Sequence, residues 1–238
     1  MQDDESAPAD PLAGIPELTT YTAEFEDDKV AGLKLVADSV AQQRQTASRI
    51  LIFHPLCLAL FSVVLAIVTQ WIYKTRSDLA RVITTWAGLI MAYLLLVRFL
   101  TKDYLIYAED INWDWLDDDR ILVTKFGEEI IGALVLGWVA GDGRGSRRKR
   151  VGRGLIRAWT VRLRYRGKGV GTGLLEEAVG IVNEKGGDGI DFAEEHANSK
   201  RVLRPFFNTA FNRRDMKAQD ALDEVSRQRG TFVKRGSR

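Results

Sequence analysis

Two long apolar runs in the first half of the sequence limit what this chain can fold into. Ile50–Tyr73 runs 24 residues without a formal charge, and Val82–Leu100 runs 19 residues with one charge, Arg98, near its end. An α-helix rises about 1.5 Å per residue, so about 20 residues cross the ~30 Å hydrocarbon core of a bilayer. Both runs are therefore long enough to span a membrane, and the polar segment Lys74–Arg81 between them predicts a tight turn.

The alternative for these runs is a buried helical hairpin inside a soluble domain. One such helix is common in a chain of this size, but two in succession are not. Trp71, Tyr73 and Trp86 lie near the ends of the runs, as rings at a membrane interface do. We therefore favour a transmembrane helical hairpin, which returns both flanks to one side so that they fold in one compartment.

The composition of the whole chain is that of a globular protein with such an insertion. Apolar residues make up 46% of the sequence and charged residues 28%, which excludes a polytopic membrane protein, a coiled coil and a wholly disordered chain. Cys57 is the only cysteine, so no disulfide forms within the chain. The two histidines and one cysteine show no metal-ligand spacing, and we expect no metal.

Residue patterns outside the hairpin predict a mixture of strands and helices. After the hairpin, strands are predicted at Ile121–Phe126, Glu129–Val139, Leu155–Tyr165 and Gly189–Ala193, and helices at Leu174–Lys185 and Lys200–Asn208. This order predicts an α/β (α+β) domain. We divide the chain into an acidic disordered tail (1–16), a first strand and helix (17–49), the hairpin (50–100), the rest of the domain (101–211) and a charged C-terminal helix and tail (212–238).

The loop RGKGVGTG, residues 166–173, carries the strongest functional signal. Glycines between a strand and a helix let backbone N–H groups approach a ligand, and the start of a helix favours phosphate. A P-loop is excluded because Lys168 directly follows the first glycine. The dinucleotide fingerprint is excluded because Thr172 stands where the motif needs glycine, or, in the other register, Leu174 stands where it needs glycine or alanine. A kinase glycine-rich loop joins two strands, whereas this loop leads into a helix.

The spacing Arg-x-x-Gly-x-Gly at Arg166, Gly169 and Gly171 resembles the coenzyme A pyrophosphate loop of the GCN5-related N-acetyltransferase (GNAT) superfamily. Asn198 and the pair Ala210-Phe211 follow at positions similar to those of the family. The resemblance implies a mixed, mostly antiparallel sheet flanked by helices. An apolar hairpin between the first helix and the second strand makes the chain similar to the membrane-bound camello-like, N-acetyltransferase-8 type.

The resemblance also implies a cofactor and a set of site residues. The co-substrate would be acetyl-CoA, held by Val161, Leu163, Arg166, Gly167, Lys168, Gly169, Val170, Gly171, Thr172 and Asn198. Phe206 and Phe207 stand near the position of a tyrosine that donates a proton in many family members. His196 and Glu194, after the next strand, are the candidates for a catalytic base, and a solvated histidine at a strand end is the alternative.

The loop before the coenzyme A strand is strongly basic, with Arg144, Arg147, Arg148, Lys149, Arg150 and Arg153. Such a cluster is typical of a solvated loop, of a contact with anionic lipid headgroups, or of a site that captures an acidic substrate. No aromatic residues interleave the arginines, so we expect no nucleic acid partner.

The sequence therefore predicts a membrane-anchored N-acetyltransferase that moves an acetyl group from acetyl-CoA to the amine of a peptide, a lysine or a small molecule. Its other partner would be the lipid bilayer. The resemblance implies an intracellular membrane, such as the endoplasmic reticulum, with the catalytic domain on the cytosolic side. The alternative is a catalytically silent, coenzyme A-binding membrane scaffold that acts through protein partners.

Overall fold

The computed structural model describes residues 16–140 and 152–229. The strands there are β1 (Leu18–Thr22), β2 (Arg120–Phe126), β3 (Glu129–Val139), β4 (Arg153–Val161) and β5 (Ile190–Phe192). The α-helices are α1 (Glu26–Phe53), α2 (Pro55–Ile72), α3 (Leu79–Leu100), α4 (Asp103–Glu109), α5 (Trp113–Leu116), α6 (Val170–Glu184) and α7 (Thr209–Arg229). The predicted acidic tail up to residue 15, the basic residues 144–150 and the end of the chain, 230–238, lie outside the described residues.

The five strands form one sheet in the order β1-β2-β3-β4-β5, and every neighbouring pair is antiparallel except β4 and β5, which are parallel. Helix α1 packs on one face of this sheet, and α6 and α7 pack on the other. The structure thus confirms the predicted mixed α/β fold with a mostly antiparallel sheet.

Each face of the sheet is covered by an apolar helix surface. Leu33, Val36 and Val40 recur at helical spacing along α1 and pack with Val123 on the first face. Leu134 points to the second face and packs there with α6. Full burial of side chains of this size stabilises the fold by about 1.5–3 kcal/mol each.

Strand β4 separates from β5 partway along its length. The two strands pair only over Gly154–Ile156 of β4. Arg157 comes next and has no partner on β3, because the register between β3 and β4 shifts by one residue at this point. Such a β-bulge bends its strand and increases the local twist. Beyond it, Trp159–Val161 have no strand neighbour on the β5 side in the described part of the chain.

The bulged Arg157 is fixed by three contacts. Its guanidinium pairs with Asp119 at 2.5 Å, donates to the Trp115 carbonyl oxygen at 2.7 Å and lies 4.5 Å from the Trp115 ring centroid. The ion pair is largely shielded, since the side chains of Arg157 and Asp119 are 28% and 17% exposed. The bend in β4 is therefore held by partly buried polar contacts rather than by backbone pairing alone.

The apolar runs form two adjacent helices, α2 and α3. The mean hydropathy is 2.1 for Pro55–Ile72 and 1.8 for the segment Arg76–Glu109 that contains α3, and by length and composition both could cross a membrane. None of the α2 residues is buried by the described part of the chain. The two helices touch through the rings of Phe61 and Tyr93, with centroids 4.9 Å apart, and the Trp86 indole N–H donates to Thr69 Oγ1 at 2.9 Å.

Two boundaries and one helix differ from the sequence predictions. Helix α1 continues past Ile50 to Phe53, and the break falls at His54 because Pro55 begins a new helix. The helix predicted at Lys200–Asn208 was wrong: this segment contains only a short 3₁₀ turn at Pro205–Phe207. The strand predicted to reach Tyr165 ends at Val161.

Candidate functional site

The opening between β4 and β5 leads into a cleft of about 460 Å³. Its walls come from α1, the last residues of β4, the glycine loop before α6, the segment after β5, and α7. The separation of the strands lets the cleft reach both faces of the sheet. Trp159 and Val161 line it on the α6 side, and Thr160 lines it on the α1 side.

The glycine loop presents a group of free backbone donors at this cleft. Gly167 and Gly169 have φ values of +74° and +84°, a region that glycine enters readily and other residues rarely do. Gly169 caps α6, and the first bond back to it comes from the Gly173 N–H at 2.9 Å. The N–H groups of residues 167–172 donate to no acceptor within residues 16–140 and 152–229. Such a helix start binds anions.

Gly171 is required for a packing reason that the sequence did not reveal. A Cβ atom at Gly171 would lie 2.9 Å from Cζ2 of Trp159, closer than a side chain tolerates. The indole N–H of Trp159 donates to the Gly171 carbonyl oxygen at 3.1 Å. The indole therefore seats the first turn of α6 against the exposed end of β4.

Two arginines give this end of the cleft a positive charge. Arg166 and Arg214 both line it, and neither forms an ion pair with a carboxylate among the described residues. The Nε of Arg166 donates to the Val161 carbonyl oxygen at 2.8 Å, which directs the guanidinium toward the cleft. Loss of solvent around the guanidinium, followed by the charge of Arg214, lowers the pKa of Arg166. An anionic ligand would relieve this repulsion.

The structure brings most of the sequence-predicted site residues together. Those that line the cleft are Val161, Arg166, Gly167, Gly169, Gly171, Thr172, His196 and Asn198. The side chains of Leu163, Lys168, Val170 and Glu194 do not line it. Leu163 is 64% exposed because β4 has already ended and a 3₁₀ turn carries it outward. Val170 is packed in the core, Lys168 lies over the Tyr165 ring, and Glu194 is exposed.

His196 is held in one tautomer by the chain itself. Its Nδ1 accepts the Asn198 backbone N–H at 3.2 Å. Burial lowers the pKa of His196, while Asp215 opposes the shift and Arg201 adds to it. The imidazole is therefore neutral at pH 7 with its proton on Nε2. In this state Nε2 can donate a hydrogen bond to a ligand but cannot accept one, which does not fit the base predicted from the sequence.

A hydrogen-bonded chain of polar residues forms the wall opposite the glycine loop. Gln43 on α1 donates from Nε2 to Asn198 Oδ1 at 2.6 Å. Arg201 donates to the Asn198 carbonyl oxygen and pairs with Asp215 of α7. Because each contact joins a different element, this chain ties α1, the segment after β5 and α7 into one wall.

Sequence reasoning missed the residues that α1 and α7 supply. Ser39 and Gln43 line the cleft, whereas the sequence pattern of α1 predicts only an apolar helix face. They lie one helical turn apart beside Val36 and Val40, and polar residues at buried helix positions are the signal that could have found them. Arg214 and Asp215 were assigned to a charged tail helix, and no local pattern distinguishes them there.

Phe206 and Phe207 do not line the cleft. The ring of Phe207 lies 4.7 Å from that of His54, and Phe206 is 55% exposed beside it. The two rings therefore pack beside the start of α2 and do not occupy the position of a proton donor at the cleft. Among residues 16–140 and 152–229, no tyrosine lines the cleft.

The acetyltransferase (GNAT) family model matches residues 89–208, half of the chain, and this match includes β2 to β5 and the glycine loop. The chain therefore belongs to the acetyltransferase (GNAT) family. No curated protein matches the sequence.

Solved structures that resemble the chain are distant in sequence. A putative acetyl transferase from Pyrococcus furiosus is 14% identical, with 83% of this chain and 91% of that one covered and a TM-score of 0.40. An acetyltransferase from Trypanosoma brucei is 15% identical, with 82% and 91% covered and a TM-score of 0.36. An aminoglycoside acetyltransferase from an uncultured soil metagenomic sample, in complex with trehalose, is 13% identical, with 46% of this chain covered and a TM-score of 0.30. The chain spans 60% of the length of that enzyme.

Gly169→Ala tests whether the backbone of the loop forms the anion site. Alanine at φ +84° costs about 1–2 kcal/mol of stability and shifts the N–H groups of the helix start, so we expect coenzyme A to bind at least about tenfold more weakly. Calorimetric titration of the detergent-solubilised chain measures this. The matched control is Gly173→Ala, which lies within α6 with open space around it and should bind normally. Equal binding by both variants would contradict the assignment.

The lowered pKa of His196 predicts a loss of stability in mild acid. The unfolded chain binds a proton at His196 near pH 6.5, whereas the folded chain binds it only at lower pH, so folding becomes less favourable as pH falls through 6.5. His196→Gln keeps an acceptor for the Asn198 N–H and removes the titration. In a His54→Gln background, thermal melts between pH 8 and pH 5.5 should show the parent losing stability relative to this variant. Parallel curves would refute the shift.

Proposed function

We propose that the chain is a membrane-anchored N-acetyltransferase that transfers the acetyl group of acetyl-CoA to an amine. One observation carries the proposal: where β4 leaves β5, the cleft is lined by a loop whose N–H groups have no acceptor among the described residues, and by Arg166 and Arg214, which form no ion pair there. This combination suits a pyrophosphate, and the family of the chain supports coenzyme A as the molecule that carries it.

The cleft fits coenzyme A in its chemistry as well as its charge. Arg166, Arg214 and the N–H groups of residues 167–172 would hold the pyrophosphate. Because Arg162 donates its N–H to Ile131 on β3 at 2.8 Å, the alternation of an antiparallel pair turns the backbone of Val161 away from β3 and toward the cleft. That strand edge would hold the amide groups of the pantetheine arm.

The residues of the cleft favour direct transfer. When bound, acetyl-CoA supplies an activated thioester. No cysteine among the described residues lines the cleft, so the chain offers no thiol to take the acetyl group first. His196, neutral and protonated on Nε2, would donate a hydrogen bond to negative charge that develops on the ligand. The base role predicted for His196 and Glu194 is not part of this proposal.

The membrane part of the proposal rests on α2 and α3. Both are long enough to span a bilayer, and no α2 residue is buried by the described part of the chain. Their place between the first helix and the second strand is similar to that in the camello-like acetyltransferases. We accordingly propose an intracellular membrane, such as the endoplasmic reticulum, with the cleft on the cytosolic side.

Removal of either cleft arginine tests catalysis and cofactor binding together. Acetyl-CoA turnover is measured against peptides, lysine and small amines, and Arg166→Ala and Arg214→Ala should each raise the KM for acetyl-CoA roughly tenfold or more, as expected for hydrogen bonds to charged groups. Arg213→Ala is the matched control, because Arg213 does not line the cleft. Tight coenzyme A binding without turnover on any amine would favour the silent scaffold instead.

Cysteine labelling tests the membrane topology. In a Cys57→Ala background, Lys217→Cys places a thiol on exposed α7 and Ser77→Cys places one in the exposed turn between α2 and α3. In sealed vesicles with the cytosolic face outward, an impermeant maleimide should label Lys217→Cys at once and Ser77→Cys only after detergent. Labelling of both in intact vesicles would mean that the turn has not crossed the bilayer.

A further inference from the structure

The cleft has two chemically different ends. On the α6 face it is lined by the glycine loop, Arg166 and Arg214, which suit an anion. On the α1 face it is lined by Ser39, Gln43 and Thr160, which are uncharged. The two ends communicate through the gap between β4 and β5, where Trp159–Val161 of β4 have no strand neighbour on the β5 side among the described residues.

Gln43 carries an unsatisfied buried acceptor at the uncharged end. The residue is 7% exposed, and its Nε2 donates to Asn198 Oδ1 at 2.6 Å and to the Asn198 carbonyl oxygen at 3.3 Å. Its Oε1 is buried and has no hydrogen-bond partner among the described residues. An unpaired buried acceptor is costly, and ligands commonly supply the missing donor at such positions.

Direct transfer requires both substrates in the cleft at the same time. If coenzyme A fills the basic end, as the proposed function requires, the acceptor must approach the thioester from the other side of the gap. Ser39, Thr160 and Gln43 offer two hydroxyls and one amide here, and the charges of Arg201 and Asp215 in the adjoining wall are paired with each other, so this end suits an uncharged amine better than an ammonium. A neutral amine is also the form that can attack a thioester.

We propose, building on that function, that Gln43 is a positioning residue for the acyl acceptor: its Oε1 accepts an N–H of the amine and directs the nitrogen lone pair at the thioester carbon. The C–N bond forms as the C–S bond breaks, the sulfur keeps the electron pair, and the proton released by nitrogen reaches the sulfur through water. The terminal torsion of glutamine is broad, so a modest rotation turns Oε1 to the cleft while Nε2 stays near Asn198.

Two thioether analogues of coenzyme A test this without knowledge of the acceptor. One ends in –CH₂–CO–NH–CH₃ and the other in –CH₂–CO–O–CH₃, so they differ in one N–H. The detergent-solubilised wild-type chain should bind the amide about tenfold more tightly than the ester, because only the amide supplies the missing donor. Gln43→Met should bind both within about twofold of each other.

Matched variants separate this role from a structural one. Gln219→Met makes the same change on the α7 wall and should keep the preference for the amide. Gln43→Leu also removes the oxygen and should also lose the preference, which supplies a second test if Gln43→Met does not fold. No preference in the wild type, or persistence of the preference in folded Gln43→Met or Gln43→Leu, would overturn the inference. If the wild type does not bind coenzyme A itself, the proposed function fails instead.

Discussion

The β-bulge at Arg157, held by Asp119 and the Trp115 carbonyl, makes β4 leave β5 after three paired residues. Without this bend the parallel pair would continue, and the backbone of Trp159 and Val161 would be used within the sheet. With it, a gap opens between β4 and the edge strand β5. The cleft, its two ends and the seating of α6 all follow from that gap, so the site depends on a side chain that does not line it.

Several polar groups of the cleft have no partner among residues 16–140 and 152–229, and the packing around them holds them in place. The N–H groups at the start of α6 are kept in position by the Trp159 indole on the Gly171 carbonyl. Arg166 is fixed by the Val161 carbonyl and not by a carboxylate, so its charge stays available to a ligand. On the other wall, Asn198, itself held by Arg201, accepts from Gln43 Nε2, while Gln43 Oε1 has no partner among the described residues. This is preorganisation, in which ordering is completed by folding and not by binding.

The sequence predicts well what local chemistry decides. Gly127 and Glu128 between two β-rich runs place the β2–β3 hairpin, and a helix follows the glycine-rich segment as predicted, although α6 begins at Val170 and not at Leu174. The sequence pattern fails to predict the structure where tertiary geometry decides the outcome. Alternation continues through Leu163, yet the strand stops at Val161, and the extra residue at Arg157 leaves no trace in the pattern. Gln43 and Arg214 reach the cleft only because distant helices converge, which one sequence does not reveal.

Helix α1 is one continuous helix from the sheet to the start of α2, and its length fixes the distance along the helix between the cleft and α2. Ten residues separate Gln43 from Phe53, which is about 15 Å along a helix. With α2 and α3 in a bilayer, as proposed, the uncharged end of the cleft stands at a constant, short height above the lipid. An amine carried by another membrane-bound molecule would then search a thin layer and not the bulk solution, and its effective concentration at the cleft would be correspondingly high. An enzyme placed in this way can act on membrane-held acceptors with a modest intrinsic affinity for them.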